Sequence, residues 1–242
     1  MKNKQAWEPS KYIPTRRGWR MSRDPALGNA GSRFLGDIVV EYYERALREH
    51  ARGTLLDLGS GNVPLYGIYR DYVDDNVCVD WPYSPHASEH VDLETDLNEP
   101  IPLPDAGFDT VLVTDVLEHI ANPSQLWREI SRLLKPGGKV IVGVPFLYCI
   151  HEEPHDYHRY TEYKLRMDCE GNGLGLLSLE PYGGAPEVIL DIIAKLLSSS
   201  RALSRAHHTI STAIMKTSIA RNLSRKTSRR FPIGYTLVAQ KA

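Results

Sequence analysis

Thr54-Leu55-Leu56-Asp57-Leu58-Gly59-Ser60-Gly61-Asn62 is a short apolar run that breaks into a glycine turn, and Val77-Cys78-Val79-Asp80 is a second such run ending in an acid. Asp80 lies 23 residues beyond Asp57. The two runs read as strand, turn, short helix and second strand. Glycines in the turn let the backbone take positive φ and pass close under a ligand. An acid at the tip of the second strand can accept hydrogen bonds from both hydroxyls of a ribose. A Gly-x-Gly turn alone is common. Joined to an acid at this separation, and to the strands that follow, it points to a nucleoside-type cofactor.

Outward from this unit, Gly31 to Glu49 has helical spacing of apolar residues, with Ser32 as a candidate cap. A short helix is expected near Pro64–Tyr72 and a short strand at His90–Asp92. Phe108–Thr114 reads as a buried strand, Pro123–Leu134 as an amphipathic helix and Lys139–Pro145 as a further strand. Beyond Pro145 the expected elements are a helix over Glu162–Cys169, a strand over Gly175–Pro181, a helix over Glu187–Leu203 and a last strand over Gly234–Gln240. Such alternation implies a parallel sheet covered on both faces. The stretch 184–231 is longer than an ordinary connection and stands as an insertion.

With 242 residues, 42% of them hydrophobic, the chain suits one domain with appendages. We expect a single domain over 1–242: a lid and helix in 1–50, a core in 51–182, a basic helical insertion in 183–231 and a last strand in 232–242. The three cysteines, none in a Cys-x-x-Cys pair, exclude a disulfide framework and suggest a reducing compartment. No leader peptide and no spanning run of apolar residues is expected, which places the chain in the cytoplasm. Net charge is −1, yet Ile192–Ala242 holds ten Lys/Arg and no acid, while the first 191 residues hold 19 basic and 30 acidic side chains. The basic stretch either meets an anionic surface or is a solvated helical face.

Several motifs now combine: Leu56-Asp57-Leu58-Gly59-Ser60-Gly61, the acid Asp80, Thr95-Asp96-Leu97, Phe108-Asp109 through Asp115-Val116-Leu117-Glu118-His119, and Leu134-Lys135-Pro136-Gly137-Gly138. In these the chain resembles a class I S-adenosylmethionine-dependent methyltransferase over about residues 50–182 plus the final strand. It departs from the fullest glycine pattern, with Asn62 and Val63 where a third glycine is often found. The resemblance implies an α/β, Rossmann-like, seven-stranded and mostly parallel sheet with an antiparallel last strand. A helical N-terminal lid and a helical insertion before the last strand complete it.

The resemblance also implies roles. Asp57 and the backbone of Gly59, Ser60 and Gly61 would lie along the methionine and ribose. Asp80 would take the ribose hydroxyls and Trp81 would cover the adenine edge. Asp96 and the Leu97 backbone would meet the adenine, and Asp115 the methionyl amine or sulfonium. Asp96 as a turn residue and Asp115 as a helix cap are the local alternatives. A pocket of carboxylates suits a cationic cofactor. Pro64, which lacks an N–H, stands where a dinucleotide's phosphate cradle would want a donor.

The segment His151-Glu152-Glu153-Pro154-His155-Asp156-Tyr157-His158-Arg159-Tyr160-Thr161 follows the fifth strand and would overhang the acceptor. His155 and His158 are candidate bases, Arg159 an acceptor-orienting cation, and His119 a second-choice base. The alternative is a polar turn clamped by its own hydrogen bonds. A metal set of His151, Glu152 and His155 is disfavoured because no tight helical ligand pair is assured, and no metal is expected. Trp19 and Arg33 are candidate lid residues, or aromatics and cations packed on the sheet edge.

The expected reaction is O-methylation of a small molecule, sugar or lipid-linked glycan with a histidine base. An NAD-type nucleotide-sugar oxidoreductase, or a catalytically silent membrane-docked protein, are the rivals. The helix from Pro186, apolar nearly all round, would be buried against the domain, against a second copy in a homodimer, or in an anionic membrane surface met through 192–231 at the inner face of the membrane. Nucleic acid is disfavoured because the run lacks interleaved aromatics.

Overall fold

The computed structural model describes residues 1–86 and 88–242. A β-hairpin, β1 (Tyr12–Thr15) and β2 (Gly18–Met21), precedes helix α1 (Arg33–His50). The core then runs β3 (Thr54–Leu58), α2 (Tyr66–Tyr69), β4 (Asp75–Asp80), β5 (Leu93–Glu94), β6 (Phe108–Thr114), α3 (Pro123–Leu133) and β7 (Leu134–Pro145). It closes with α4 (Glu162–Gly171), β8 (Leu174–Tyr182), three helices α5 (Ala185–Leu196), α6 (Arg201–Met215) and α7 (Ser218–Thr227), and β9 (Gly234–Lys241).

Seven strands form one sheet in the order β5-β4-β3-β6-β7-β9-β8. β3 pairs in parallel with β4 on one side and β6 on the other, whereas β9 is antiparallel to both β7 and β8. The chain thus leaves β3 first to one side and later to the other. That reversal opens a crevice at the carboxyl ends of β3 and β6, where open α/β sheets take ligands.

Alternation along the strands divides the core. Leu56, Leu58, Val111, Val113, Val140 and Val142 face α3 and α4, packing on Leu126, Trp127, Ile130 and Leu165. Leu55, Leu112 and Ile141 face the other way, toward Val39, Tyr43 and Leu47 of α1 and Tyr69 at the end of α2. Burying each such large apolar side chain contributes about 1.5–3 kcal/mol. Asp57 shares the second face with Leu55, so its carboxyl enters an otherwise apolar layer and is itself buried.

Three expectations change. The leading segment, expected as a lid, also joins the core: Tyr12 and Met21 of the hairpin are buried against α1. The short strand expected at His90–Asp92 lies instead at Leu93–Glu94, where Leu93 and Glu94 pair with Val79 and Asp80. The helix expected over Glu187–Leu203 is two helices. Its break falls at Leu197–Ser200, and Ser200 caps α6 by accepting from Leu203 N–H.

Candidate cofactor and acceptor site

The glycine turn sits at the tip of β3. Gly59 has φ 72° and Gly61 φ 49°. A Cβ on Gly59 would stand 2.3 Å from Cγ2 of Val116, so both conformation and space demand glycine there. Val63 follows at φ 48°. For a β-branched residue this is a strained backbone of the kind concentrated at ligand sites, at a cost of order 1–3 kcal/mol. Its carbonyl accepts from Trp7 Nε1 at 3.1 Å, and Trp7 and Trp19 both pack against Gly67 of α2. Trp19 therefore braces the helix behind the turn. Arg33 lies elsewhere, donating to the Arg23 carbonyl at 2.7 Å.

Asp80, at the end of β4, is 7% exposed. One carboxylate oxygen accepts from Gly61 N–H at 3.1 Å and the other from Trp81 N–H at 2.9 Å. This ties the tips of β3 and β4 together around the turn. Burial raises the Asp80 pKa. Asp57 accepts from the Tyr69 hydroxyl at 3.2 Å, and burial pushes its pKa up to about 7. Ser60 Oγ is buried with no protein partner. Asp96 accepts from Asn98 N–H at 2.9 Å and from Asn98 Nδ2 at 2.8 Å, which is turn geometry, and Leu97 beside it is buried.

Asp115 directly follows β6, at φ 55°. Its carboxylate accepts from the Tyr43 hydroxyl at 2.7 Å and pairs with Lys11 Nζ at 3.3 Å. Tyr43 reaches it across Gly143, where a Cβ would lie 2.2 Å from the Tyr43 oxygen. Neither Tyr43 nor Lys11 was singled out from the sequence. Tyr43 fits the apolar stripe of α1, and only the fold turns its hydroxyl toward β6.

The 151–160 segment folds back over the site. The His155 ring meets Trp81 edge-on with centroids 5.2 Å apart, and its Nδ1 lies 2.9 Å from the Tyr157 hydroxyl. His119 Nδ1 is 2.7 Å from the His155 carbonyl. The main-chain carbonyl of Glu118 accepts from Tyr157 and His158 N–H, and His158 Nε2 is buried with no partner. Arg159, the candidate acceptor-orienting cation, donates to Asp156 at 2.7 Å and to the Cys149 carbonyl at 3.1 Å. The guanidinium holds Asp156 well below the usual carboxylate range. Arg159 is thus a clamp of this loop. A separate crevice of about 140 Å³ between α1 and the middle of β8 and β9 lies away from these strand tips.

Residues 56–142 match the family model described as a methyltransferase domain. Over 96 residues the chain is 31% identical to an uncharacterized 37.1 kDa protein in a transposon of Streptomyces fradiae, which covers 37% of this chain and 28% of that protein. The chain spans less than a third of the length of the curated relatives it matches. Among solved structures, a SAM-dependent methyltransferase from Archaeoglobus fulgidus superposes with TM-score 0.55 at 15% identity, covering 87% of this chain and 97% of that one. The cyclase SpnF superposes with TM-score 0.54 at 18% identity, covering 85% and 82%.

Residues 56–142 thus match a methyltransferase domain, and the chain has the fold of class I S-adenosylmethionine-dependent methyltransferases. The cofactor of that class is S-adenosylmethionine, and the residues present fit it. Gly59 and Gly61 keep the trough floor free of Cβ atoms, the buried Ser60 hydroxyl lacks a partner, and buried carboxylates line it to receive cationic groups.

Proposed function

We propose that this chain transfers a methyl group from S-adenosylmethionine to a hydroxyl of a small molecule, sugar or lipid-linked glycan. The observation that carries the reading is the carboxylate of Asp80, bound to Gly61 N–H across the glycine turn. When bound, the cofactor supplies an electrophilic methyl group on a sulfonium. In this reading Asp80 accepts from the ribose hydroxyls and Trp81 covers the adenine edge. Asp96 and the Leu97 backbone read the adenine. Asp115 faces the methionyl amine, with Asp57 and the Gly59–Gly61 backbone beneath the ligand. A dinucleotide is disfavoured because the helix after the turn is a single turn, Tyr66–Tyr69, preceded by Pro64.

The direct test pairs thermal shift with labelled methyl transfer. S-adenosylmethionine at a hundredfold over its dissociation constant should stabilise the protein by about 2.7 kcal/mol, and NAD should not. Stabilisation by NAD alone would move the chain to the oxidoreductase reading.

His155 is the base we assign to the acceptor hydroxyl, being held on the lip of the site beside Trp81. A positioned base contributes roughly a hundred- to ten-thousandfold. His155→Ala should therefore lower kcat by about a hundredfold with cofactor affinity unchanged. Wild-type turnover in that variant removes His155 from the chemistry.

The partner we assign to the insertion is an anionic membrane surface. α5 is inverted relative to an ordinary surface helix: Glu187 and Asp191 are buried, at 5% and 3% exposure, while Ile189, Ile192, Ile193 and Leu196 face out. Of the three placements open to this helix, that exposure supports a partner outside the domain. Leu203, Ile210 and Ile214 of α6 and Ile219 and Leu223 of α7 are exposed as well, with Leu196 at 76% and Ile219 at 80%. Arg201, Arg205, Lys216, Arg221 and Arg225 are exposed among them. Each basic residue contributes about 1 kcal/mol near anionic lipid. No helix among the described residues is long and apolar enough to cross a membrane, so contact would be interfacial. The protein should float with vesicles containing phosphatidylserine and not with pure phosphatidylcholine, and the double variant Ile192→Glu/Leu196→Glu should stay at the bottom. Equal recovery from both vesicles, or a stable dimer that buries the stripe, would assign the surface to another partner.

A further inference from the structure

Three residues from two loops converge beside Asp115. Glu118 and His119 lie on the turn after β6, and His151 lies on the segment after β7. One ligand-type atom from each falls within 4.8 Å of the others. The sequence places Glu118 and His151 33 residues apart, and no helical spacing announces them.

Glu118 is fully buried, and neither of its carboxylate oxygens has a hydrogen-bond partner. A buried carboxylate without donors is costly, and it needs a cation or a proton. Two imidazole nitrogens face it: His119 Nε2 and His151 Nε2 each stand 3.8 Å from Glu118 Oε1, beyond hydrogen-bond reach.

The two rings are oriented for coordination. His119 Nδ1 meets the His155 carbonyl at 2.7 Å, and His151 Nδ1 meets the Cys149 carbonyl and Asp156 Oδ2, each at 3.3 Å. A carbonyl only accepts, so both Nδ1 atoms carry the hydrogen. That leaves the Nε2 lone pairs directed at the carboxylate. This is the outer arrangement that fixes metal-binding histidines, in which the second ring nitrogen donates to a carbonyl or carboxylate. Glu152 adds a fourth group, with Oε2 3.8 Å from His119 Nε2 while Oε1 is held by His86 Nε2 at 3.0 Å.

We propose that Glu118, His119 and His151, with Glu152 at the rim, form a site for a divalent cation. Two imidazoles and two carboxylates suit zinc, manganese or cobalt rather than calcium or magnesium, which prefer all-oxygen shells. Metal–ligand bonds of about 2.0–2.2 Å require the present separations to contract modestly. Glu118 is three residues from Asp115, so the cation would sit on the acceptor side of the trough and present an open position to an acceptor oxygen. That second role rests on the proposed methyl transfer; the binding itself does not.

Cobalt(II) is the probe, because its visible absorption reports inner-sphere nitrogen and oxygen ligands. The full chain, stripped with chelator, should take up one equivalent of cobalt(II) with a rise in melting temperature, in the absence of cofactor and acceptor. Glu118→Gln and His151→Ala should each weaken that uptake at least tenfold. His208→Ala, far from the cluster and one of nine histidines, should leave it unchanged. Should His151→Ala fold poorly by circular dichroism, His119→Gln serves as the second ligand variant. The site is overturned by no stoichiometric uptake in the wild type, or by uptake that the ligand variants leave intact. Since no methyl transfer is measured, failure here leaves the proposed activity standing, and inactivity of the enzyme leaves the site standing.

Discussion

Asp80→Asn is expected to weaken S-adenosylmethionine binding by about a hundredfold or more, measured by isothermal titration. The carboxylate is fixed by the Gly61 and Trp81 amides and still has lone pairs for two hydroxyls. Hydrogen bonds to a charged group contribute roughly 1.5–3 kcal/mol each, and every 1.4 kcal/mol is about tenfold in affinity. Asparagine keeps one acceptor and loses the charge, so the lower end of the combined effect applies. Folding should change much less, because removing a buried charge offsets the weakened bond to Gly61. Wild-type affinity in the variant would remove Asp80 from the ribose site.

The second large effect is on pH. Asp57 is buried, and its pKa is raised to about 7 from an ordinary 3.8. In the free protein the folded state therefore holds this proton more tightly than the unfolded chain does. The stability linked to Asp57 is fully present below pH 3.8, falls as pH rises, and is lost above about pH 7. A shift of this size corresponds to a few kcal/mol, at about 1.4 kcal/mol per unit. Cofactor binding has the opposite sense. A cation beside Asp57 favours the carboxylate, so below about pH 7 binding must expel a proton. Affinity should fall by up to about tenfold per pH unit on acidification from pH 7 toward pH 5. Titration in buffers of different ionisation enthalpy should register the released proton, and Asp57→Asn should flatten that component. A pH-independent affinity over this range would place the cofactor's charge away from Asp57.

Much of this was legible beforehand. Thr54–Leu58 and Phe108–Thr114 are strands with the residues expected, because each is a short, nearly continuous apolar run bounded by turn signals. The placement of two acids was legible for a topological reason: Asp80 ends β4 and Asp115 follows β6, and these strands flank the point where the chain reverses direction across the sheet. The hairpin was not, since its four-residue strands contain Pro14 and Gly18 and bury only Tyr12 and Met21. Apolar spacing located the stripe on α5 but carries no sign for the side it faces. Glu187 and Asp191 inward, with Leu196 outward, is settled by packing alone. Contacts such as Lys11–Asp115 and Glu118–His151 join residues 104 and 33 positions apart, and no local pattern encodes them.

The placement of β9 bears on how the chain comes together. β9 lies between β7 and β8 and is hydrogen-bonded to both, and its residues Tyr235–Ala239 are buried. Among the described residues β8 has no other neighbour in the sheet. During synthesis β8 therefore emerges with nothing to pair with, and waits while the three helices of 185–227 are made. Long-range pairing of this kind is intrinsically slow, because loop closure must precede the contacts that reward it. Through that interval two strand edges stay open beside a basic, outwardly apolar stretch of new chain, the kind of transient exposure that favours off-pathway association.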